Sequence, residues 1–180
     1  IPAVVLNHPR FKGKIFEDRH GNAVFPHRDG QGVCGLELKN YDKGVFMRGS
    51  EKALWLGHAD PSDTRLVLAE SGIDALSHFA LFQPENATYA AVSGGMRDKQ
   101  FDFLLEVIRN MPHLESIILA VDNDEGGQKI ASRIENAVAG TFTGQIIRHV
   151  PKQTGLDWNN VLTEASSRSI ALPRAPALRP

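Results

Sequence analysis

Two carboxylates, Asp122 and Asp124, directly follow a short apolar run at residues 117–121. This run has the pattern of a strand that is buried on both faces. Side chains two apart in an extended segment point the same way, so we predict that both carboxylates face one side. Two anions held this close disfavour each other's charged state unless a cation lies between them, and oxygen ligands favour a hard ion such as Mg²⁺. The alternative is that the acids only begin a helix predicted at 125–139, because acidic residues are favoured in the first helical turn.

Strand and helix patterns alternate over residues 61–166, which predicts a mostly parallel sheet with helices on both faces, Rossmann-like in arrangement. The four predicted strands are Arg65–Glu70, Thr88–Val92, Ile117–Val121 and Gly144–Val150. In such sheets ligands bind beyond the carboxyl ends of the strands. We therefore expect one sheet edge to carry Glu70, Asp74, the loop Ser93-Gly94-Gly95, Asp122 and Asp124.

Residues 1–60 read instead as short strands separated by turns, which predicts a small antiparallel β-rich subdomain. Its predicted strands are Lys14–Arg19, Ala23–Asp29, Val33–Asn40, Val45–Arg48 and Ala53–Gly57. Its basic side chains either line one face or are solvated strand charges; they are Arg28, Lys39, Arg48 and Lys52. Residues 167–180 are rich in Pro and Arg without periodicity and are predicted to be a linker or tail.

The composition, 42% hydrophobic and 23% charged over 180 residues, is that of a globular protein with one domain of ordinary size. No apolar run approaches the roughly 20 residues that cross a bilayer, so no membrane partner is expected. The single cysteine, Cys34, excludes an internal disulfide and a Cys-rich zinc site, and fits a reducing cytoplasm. Because the sequence does not begin with Met, we expect it to be a piece of a longer protein with further domains.

Two motifs resemble those of the Toprim family. Leu-Val-Leu-Ala-Glu-Ser-Gly-Ile-Asp at 66–74 is similar to its first motif, a strand that ends in Glu with Asp four residues later. Ile-Leu-Ala-Val-Asp-Asn-Asp-Glu-Gly-Gly at 118–127 is similar to the second. The segments 25–39 and 154–160 resemble the strand region before Toprim and the late acidic motif of bacterial, plasmid and phage primases, including modules fused to conjugative relaxases.

The resemblance implies a Toprim-like fold and an acidic site formed by Glu70, Asp74, Asp122, Asp124 and Asp157. It also implies Mg²⁺ as cofactor, which Mn²⁺ can replace, and DNA and nucleotides as partners, the DNA expected to be single-stranded. The leading hypothesis is a Mg²⁺-dependent nucleotidyltransferase core of DNA-primase type. Arg28, Lys39 and Lys52 would contact phosphates, and the backbone at Gly94 and Gly95 would approach phosphate, although a turn explains the glycines equally well.

Several features keep other functions open. An acidic position of the late motif is Asn159 or Asn160 here, and Asp157 also sits where a helix N-cap belongs. A metal-dependent nuclease would use the same acids. A non-catalytic module that binds DNA or a partner in a mobilisation complex would not need them. A dinucleotide-binding domain is disfavoured, because no Gly-x-Gly-x-x-Gly follows the first predicted parallel strand.

Overall fold

The computed structural model describes residues 1–40 and 44–171. The strands are β1 (Phe16–Glu17), β2 (Ala23–Asp29), β3 (Gly32–Lys39), β4 (Gly44–Phe46), β5 (Leu54–Leu56), β6 (Arg65–Ala69), β7 (Ala87–Ala91), β8 (Ser116–Ala120) and β9 (Gln145–Arg148). The helices are α1 (Ala3–Leu6), α2 (Gly72–Phe82), α3 (Asp98–Arg109), α4 (Glu125–Val138) and α5 (Trp158–Ala171). None of the helices in these two ranges is long and apolar enough to span a membrane.

Within the described residues the nine strands form one sheet, in the order β4-β3-β2-β5-β7-β6-β8-β9, with β1 paired to β2. The last four strands in this order are parallel, which confirms the predicted α/β fold with a four-stranded parallel sheet. The strands of residues 1–60 are antiparallel. Because β5 pairs with β7, the sheet continues across residue 60, and the two parts differ in strand direction within a common sheet.

Alternate side chains of the parallel strands pack into separate clusters on the two faces of the sheet. Leu66 and Leu68 of β6 pack with the apolar stripes of α3 and α4. Val67 and Ala69 pack on the other face with residues of α2 and with Trp158 of α5. A strand covered on both faces needs apolar residues at successive positions, which is why the continuous apolar runs predicted these strands.

Both ends of the chain differ from prediction. Residues 3–6 form the single turn α1, which is too short to show a helical period in the sequence. At the other end α5 continues to Ala171, so the predicted tail from residue 167 begins inside a helix. Ser166 and Ser167 fit there because their hydroxyls donate to carbonyls four residues earlier. Residues 41–43 of a predicted turn and 172–180 of the predicted tail lie outside the described residues.

A buried ion pair joins the N-terminal segment to the parallel sheet. The fully buried Asp63 accepts hydrogen bonds from both terminal nitrogens of Arg10, with Nη2 2.5 Å from Oδ1. Its Oδ2 also accepts from the Thr88 hydroxyl of β7 at 2.7 Å and from the backbone N–H of Asp60 at 3.0 Å. One carboxylate therefore fixes the chain where residues 1–60 meet the parallel part of the sheet.

We expect Asp63→Asn to lower the free energy of unfolding by about 2–3 kcal/mol, because it leaves the Arg10 charge without its partner. Urea unfolding at neutral pH measures the change. The control is Asp102→Asn on the exposed surface of α3, which should stay within about 0.5 kcal/mol of wild type. Equal stability of both variants would show that the Arg10–Asp63 pair does not hold the two parts together.

Candidate active site

The carboxyl ends of the parallel strands bring distant acidic residues to one edge of the sheet. β6 pairs with β8 in the register Ala69↔Ala120, so Glu70 and Asp122, one and two residues past this pair, leave the sheet at the same edge. Ala69 also pairs with Ala91 of β7, which places Ser93 at the same edge. The edge predicted from the strand pattern is therefore present in the structure.

A cleft of about 720 Å³ lies above this edge. The predicted site residues that line it are Glu70, Asp74, Asp122, Asp157, Lys39, Lys52 and Gly94. Other residues also line it, among them Arg97, Glu37 and Asn159, which were not predicted as site residues. Asp124, Arg28 and Gly95 do not line it. Acidic side chains from the parallel strands thus face basic side chains from the N-terminal part.

Glu70 and Asp122 each have a raised pKa and a buried oxygen without a hydrogen-bond partner among the described residues. These oxygens are Glu70 Oε2 and Asp122 Oδ1. Burial raises the pKa of Glu70, and the charges of Asp124 and Asp74 raise it further. Burial, with the nearby carboxylates of Asp74 and Glu70 adding to it, raises the pKa of Asp122 to about 8. These carboxyls disfavour one another's ionised forms, which is the situation that a bound cation relieves.

Asp74 lies in the first turn of α2 with its carboxyl almost fully buried. The hydroxyl of Ser71, the N-cap of this helix, donates to Asp74 Oδ2 at 2.5 Å. Burial raises the pKa of Asp74, although the Ser71 hydrogen bond acts against it and Asp157 adds to it. The predicted spacing, Glu at a strand end and Asp four residues on, thus places a second acid behind Glu70.

Asp124 begins α4, as the helix-start interpretation predicts. Its Oδ1 accepts a hydrogen bond from the backbone N–H of Gly127 at 2.8 Å, so it is the N-cap of α4. Strand β8 itself ends at Ala120, before the Asp-x-Asp motif. The helix-start interpretation describes its contacts, while its charge still acts on Glu70. A Cβ on Gly127 would lie 2.2 Å from the Asp122 carbonyl oxygen, which explains the glycine at this helix start.

The loop before α5 carries Asp157 to the cleft. Asp157 Oδ1 accepts from the backbone N–H of Asn160 at 2.6 Å, so Asp157 does cap the helix, and it also lines the cleft. Asn123, between the two aspartates, holds this loop: its side chain donates to the Pro151 carbonyl at 2.8 Å. The backbone carbonyl of Asn123 also accepts a hydrogen bond from the backbone N–H of Gly155 at 2.7 Å. The middle residue of Asp-x-Asp therefore ties the two acidic segments together, a role its sequence position alone does not show.

The basic wall consists of Lys39, Lys52 and Arg97. Lys52 Nζ donates to the carbonyl of Gly95 at 2.7 Å. Burial lowers the pKa of Lys52, and the charges of Glu37 and Glu70 partly offset this, so Lys52 stands between the basic and acidic walls. Arg97 is the N-cap residue of α3, shortly after the predicted glycine loop, and that position was its only sequence signal.

The other predicted phosphate contacts are placed differently. Arg28 is exposed and does not line the cleft. Arg48 does not line the cleft either. The backbone N–H of Gly94 donates to the Glu70 carbonyl at 3.1 Å, so it is already used and does not point at a ligand. The glycine loop therefore links two strand ends.

The residues present fit a hard divalent cation between Glu70 and Asp122. Both contribute a carboxylate oxygen that is buried and unpartnered, and oxygen donors of this kind suit Mg²⁺. Within residues 1–40 and 44–171, no group of three or more His, Cys, Asp or Glu side chains is close enough to hold a metal. A metal would thus be held by these two carboxylates, with Asp74 and Asp157 nearby.

Residues 67–162 match the model of a family described as Toprim-like, which is more than half of the 180 residues. The chain belongs to the Toprim-like family. Residues 1–60 of this Toprim-like protein match a second model, described as a protein of unknown function (DUF3991). A 65 kDa protein from Zymomonas mobilis is 27% identical over 163 residues, covering 82% of this chain and 27% of that protein. The chain thus spans about a quarter of its curated relative.

Solved structures that resemble this fold include primase domains. The primase fragment of the bacteriophage T7 primase-helicase protein has a TM-score of 0.60 at 21% identity, covering 87% of this chain and 64% of that one. T7 primase domains bound to an RNA/DNA hybrid and dTTP have a TM-score of 0.58 at 20% identity, covering 87% of this chain and 78% of that one. A DNA primase domain from Pseudomonas aeruginosa has a TM-score of 0.52 at 16% identity, covering 87% of this chain and 55% of that one. At these identities the likeness is one of fold.

The raised pKa of Asp122 predicts a pH-dependent effect of Asp122→Asn. A group whose pKa is higher in the folded protein than in the unfolded chain stabilises the fold below about pH 4. This stabilisation is lost as the pH rises through the folded-state pKa. In EDTA at about pH 9 we expect Asp122→Asn to be more stable than wild type by roughly 1–2 kcal/mol, a value reduced for partial solvent exposure. The difference should fade toward about pH 4.

Urea unfolding at both pH values measures this difference. Asp102→Asn, an exposed Asp-to-Asn change, serves as the matched control and should follow wild type at each pH. Identical stability of wild type and Asp122→Asn at the alkaline pH would show that Asp122 is not held in an environment that disfavours its charge.

Proposed function

We propose that this Toprim-like protein is a Mg²⁺-dependent nucleotidyltransferase of DNA-primase type that acts in plasmid or phage DNA replication or mobilisation. The observation that carries the proposal is the pair of buried, unpartnered carboxylate oxygens of Glu70 and Asp122, opposite a wall of basic side chains. The shared fold with primase domains supports it. Its partners would be DNA, expected to be single-stranded, nucleotides and further domains of a longer protein.

The residues of the cleft suit phosphoryl chemistry. Glu70 and Asp122 would hold the ion, and bound Mg²⁺ would supply charge that stabilises the phosphate and leaving-group oxygens. Glu70, with its raised pKa, also serves as the base that accepts a proton from an attacking hydroxyl. Lys39, Lys52 and Arg97 bind and orient phosphates across the cleft, without reading bases.

Primer synthesis on single-stranded DNA with NTPs and Mg²⁺ tests the proposal, with the chain assayed in the complete protein that contains it. We expect Asp122→Asn and Glu70→Gln each to lower the rate by about 100-fold or more, because the charge that holds the ion is lost. Asp102→Asn should retain the wild-type rate. No primer from the wild-type protein, where a control primase succeeds, would contradict the proposal.

Metal binding has a readout that does not depend on activity. Thermal unfolding at pH 8 should shift upward with Mg²⁺ for wild type, because an ion that binds the folded state stabilises it. The shift should be absent for Asp122→Asn and unchanged for Asp102→Asn. A Mg²⁺ shift of equal size in all three proteins would place the ion elsewhere. The same experiment with Mn²⁺ in place of Mg²⁺ tests whether Mn²⁺ also binds.

A non-catalytic binding module is the second candidate, and Asn159 favours it. Its side chain lies in the cleft, 3.4 Å from the Ser77 hydroxyl, in the segment where the primase motif is more acidic. This function predicts that Asp122→Asn leaves DNA binding intact and that no Mg²⁺-dependent turnover exists. A nicking assay with Mg²⁺ or Mn²⁺, without nucleotides, separates the nuclease alternative from both.

A further inference from the structure

One buried carboxylate in the cleft has no role in the chemistry above. Glu37 lies on β3 and is only 3% exposed, although it lines the cleft on its basic side. Its Oε1 is 3.2 Å from the Nζ of Lys39, two residues further along the same strand. A buried acid on a wall that is otherwise basic needs a physical reason, since burying an ionised group costs free energy unless it is paired.

Glu37 is fixed from behind by a chain of hydrogen bonds. The Ser93 hydroxyl donates to Glu37 Oε2 at 2.5 Å. The fully buried His27 places Nε2 3.0 Å from Ser93 Oγ and 3.6 Å from Glu37 Oε2. Its other ring nitrogen, Nδ1, donates to the Ala53 carbonyl at 2.8 Å, which orients the ring. The Glu37 carboxylate can therefore rotate very little.

The same contacts keep Glu37 ionised. Burial alone would raise its pKa, but the adjacent His27 ring, the hydrogen bond from Ser93 and the charge of Lys39 outweigh burial and hold the pKa below its ordinary value. Glu37 thus presents a fixed negative charge to Lys39. On its other side Lys39 packs over the backbone of β4, where a Cβ on Gly44 would lie 2.7 Å from Nζ. The ammonium group is held between the carboxylate and this glycine.

The loop that carries Ser93 has an unusual backbone. Ser93 has φ 56°, a left-handed conformation that costs a non-glycine residue about 1–2 kcal/mol. This conformation aims the hydroxyl at Glu37 and His27. The next residue, Gly94, donates its N–H to the carbonyl of Glu70. The loop therefore connects the Glu37 network on the basic wall with the end of β6 on the acidic wall.

We propose that Glu37 is a positioning residue, which holds the Lys39 ammonium in place across the cleft from Glu70 and Asp122, with Ser93 and His27 holding the Glu37 carboxylate. The proposal rests on the proposed function, in which Lys39 contacts a phosphate. A lysine held in advance loses less rotational freedom when its ligand arrives. Glu37 acts only through Lys39 and does not touch the reacting groups.

The reactivity of Lys39 tests the proposal without any assay of activity. Wild type and Glu37→Gln are treated with an amine-acylating reagent, and each lysine is followed by mass spectrometry. We expect Lys39 to react about fivefold faster in Glu37→Gln, because its ion pair is lost. Lys129, an exposed lysine paired with Glu125, is the internal control and should react equally in both proteins. Equal Lys39 rates in the two proteins would overturn the proposal.

Ser93→Gly provides a second variant in case Glu37→Gln does not fold. Glycine keeps the left-handed backbone without strain but removes the hydroxyl that fixes Glu37. Lys39 should again react faster than in wild type, by a smaller factor, while Lys129 is unchanged. A Lys39 rate in Ser93→Gly that equals the wild-type rate would show that Ser93 does not take part.

Primer-synthesis kinetics separate positioning from a general electrostatic role. Glu37→Gln makes the cleft more positive, so the nucleotide KM should not rise, while kcat should fall about tenfold because Lys39 is misplaced. In a Lys39→Met background, Glu37→Gln should have no further effect on kcat, because Glu37 acts through Lys39. Unchanged kcat, or the same tenfold loss without Lys39, would overturn the proposal. If wild type makes no primer, the proposed function fails, and the labelling result still decides the role of Glu37.

Discussion

The central feature of the structure is the electrostatic repulsion between carboxylates that lie at one edge of its parallel sheet. The register of β6 and β8 brings Glu70 level with Val121, one residue before Asp122, so both acids reach the same edge and interact there. The result is a buried cluster in which each acid disfavours the charge of its neighbour and two oxygens lack partners. Stability alone would favour neutral side chains at these positions. Such a concentration of like charge is typical of sites where a cation or a proton is part of the function.

The opposite wall of the cleft carries positively charged side chains that are held in fixed positions. Lys39 is held by Glu37, and Lys52 is held by the Gly95 carbonyl. Both contacts come from the antiparallel part of the sheet or from the loop that joins it to the parallel part. The pairing of β5 with β7 joins the antiparallel part of the sheet, which carries Lys39, to the parallel part, which carries the acidic residues. Asp63 and Asn123 support this arrangement from outside the cleft.

The sequence predicted the strands, the shared edge and most of the acidic residues, because buried parallel strands and their ends have strong local patterns. It left open whether Asp124 is a metal ligand or only a helix start, since the same acidic pattern suits both. Arg28 was assigned to the phosphate contacts by resemblance alone, and such a resemblance does not show which side chains of an antiparallel strand reach the cleft. The Glu37 network joins three strands and a loop, and such pairings cannot be read locally.

The most direct measurement of the central claim is the titration of Asp122 by carbon-detected NMR of the carboxyl groups, with and without Mg²⁺. The structure predicts that Asp122 titrates near pH 8 in EDTA. It also predicts that saturating Mg²⁺ lowers this pKa below about 5, because a bound cation favours the carboxylate. An Asp122 pKa near about 4 in EDTA, or one that Mg²⁺ does not move, would contradict the account.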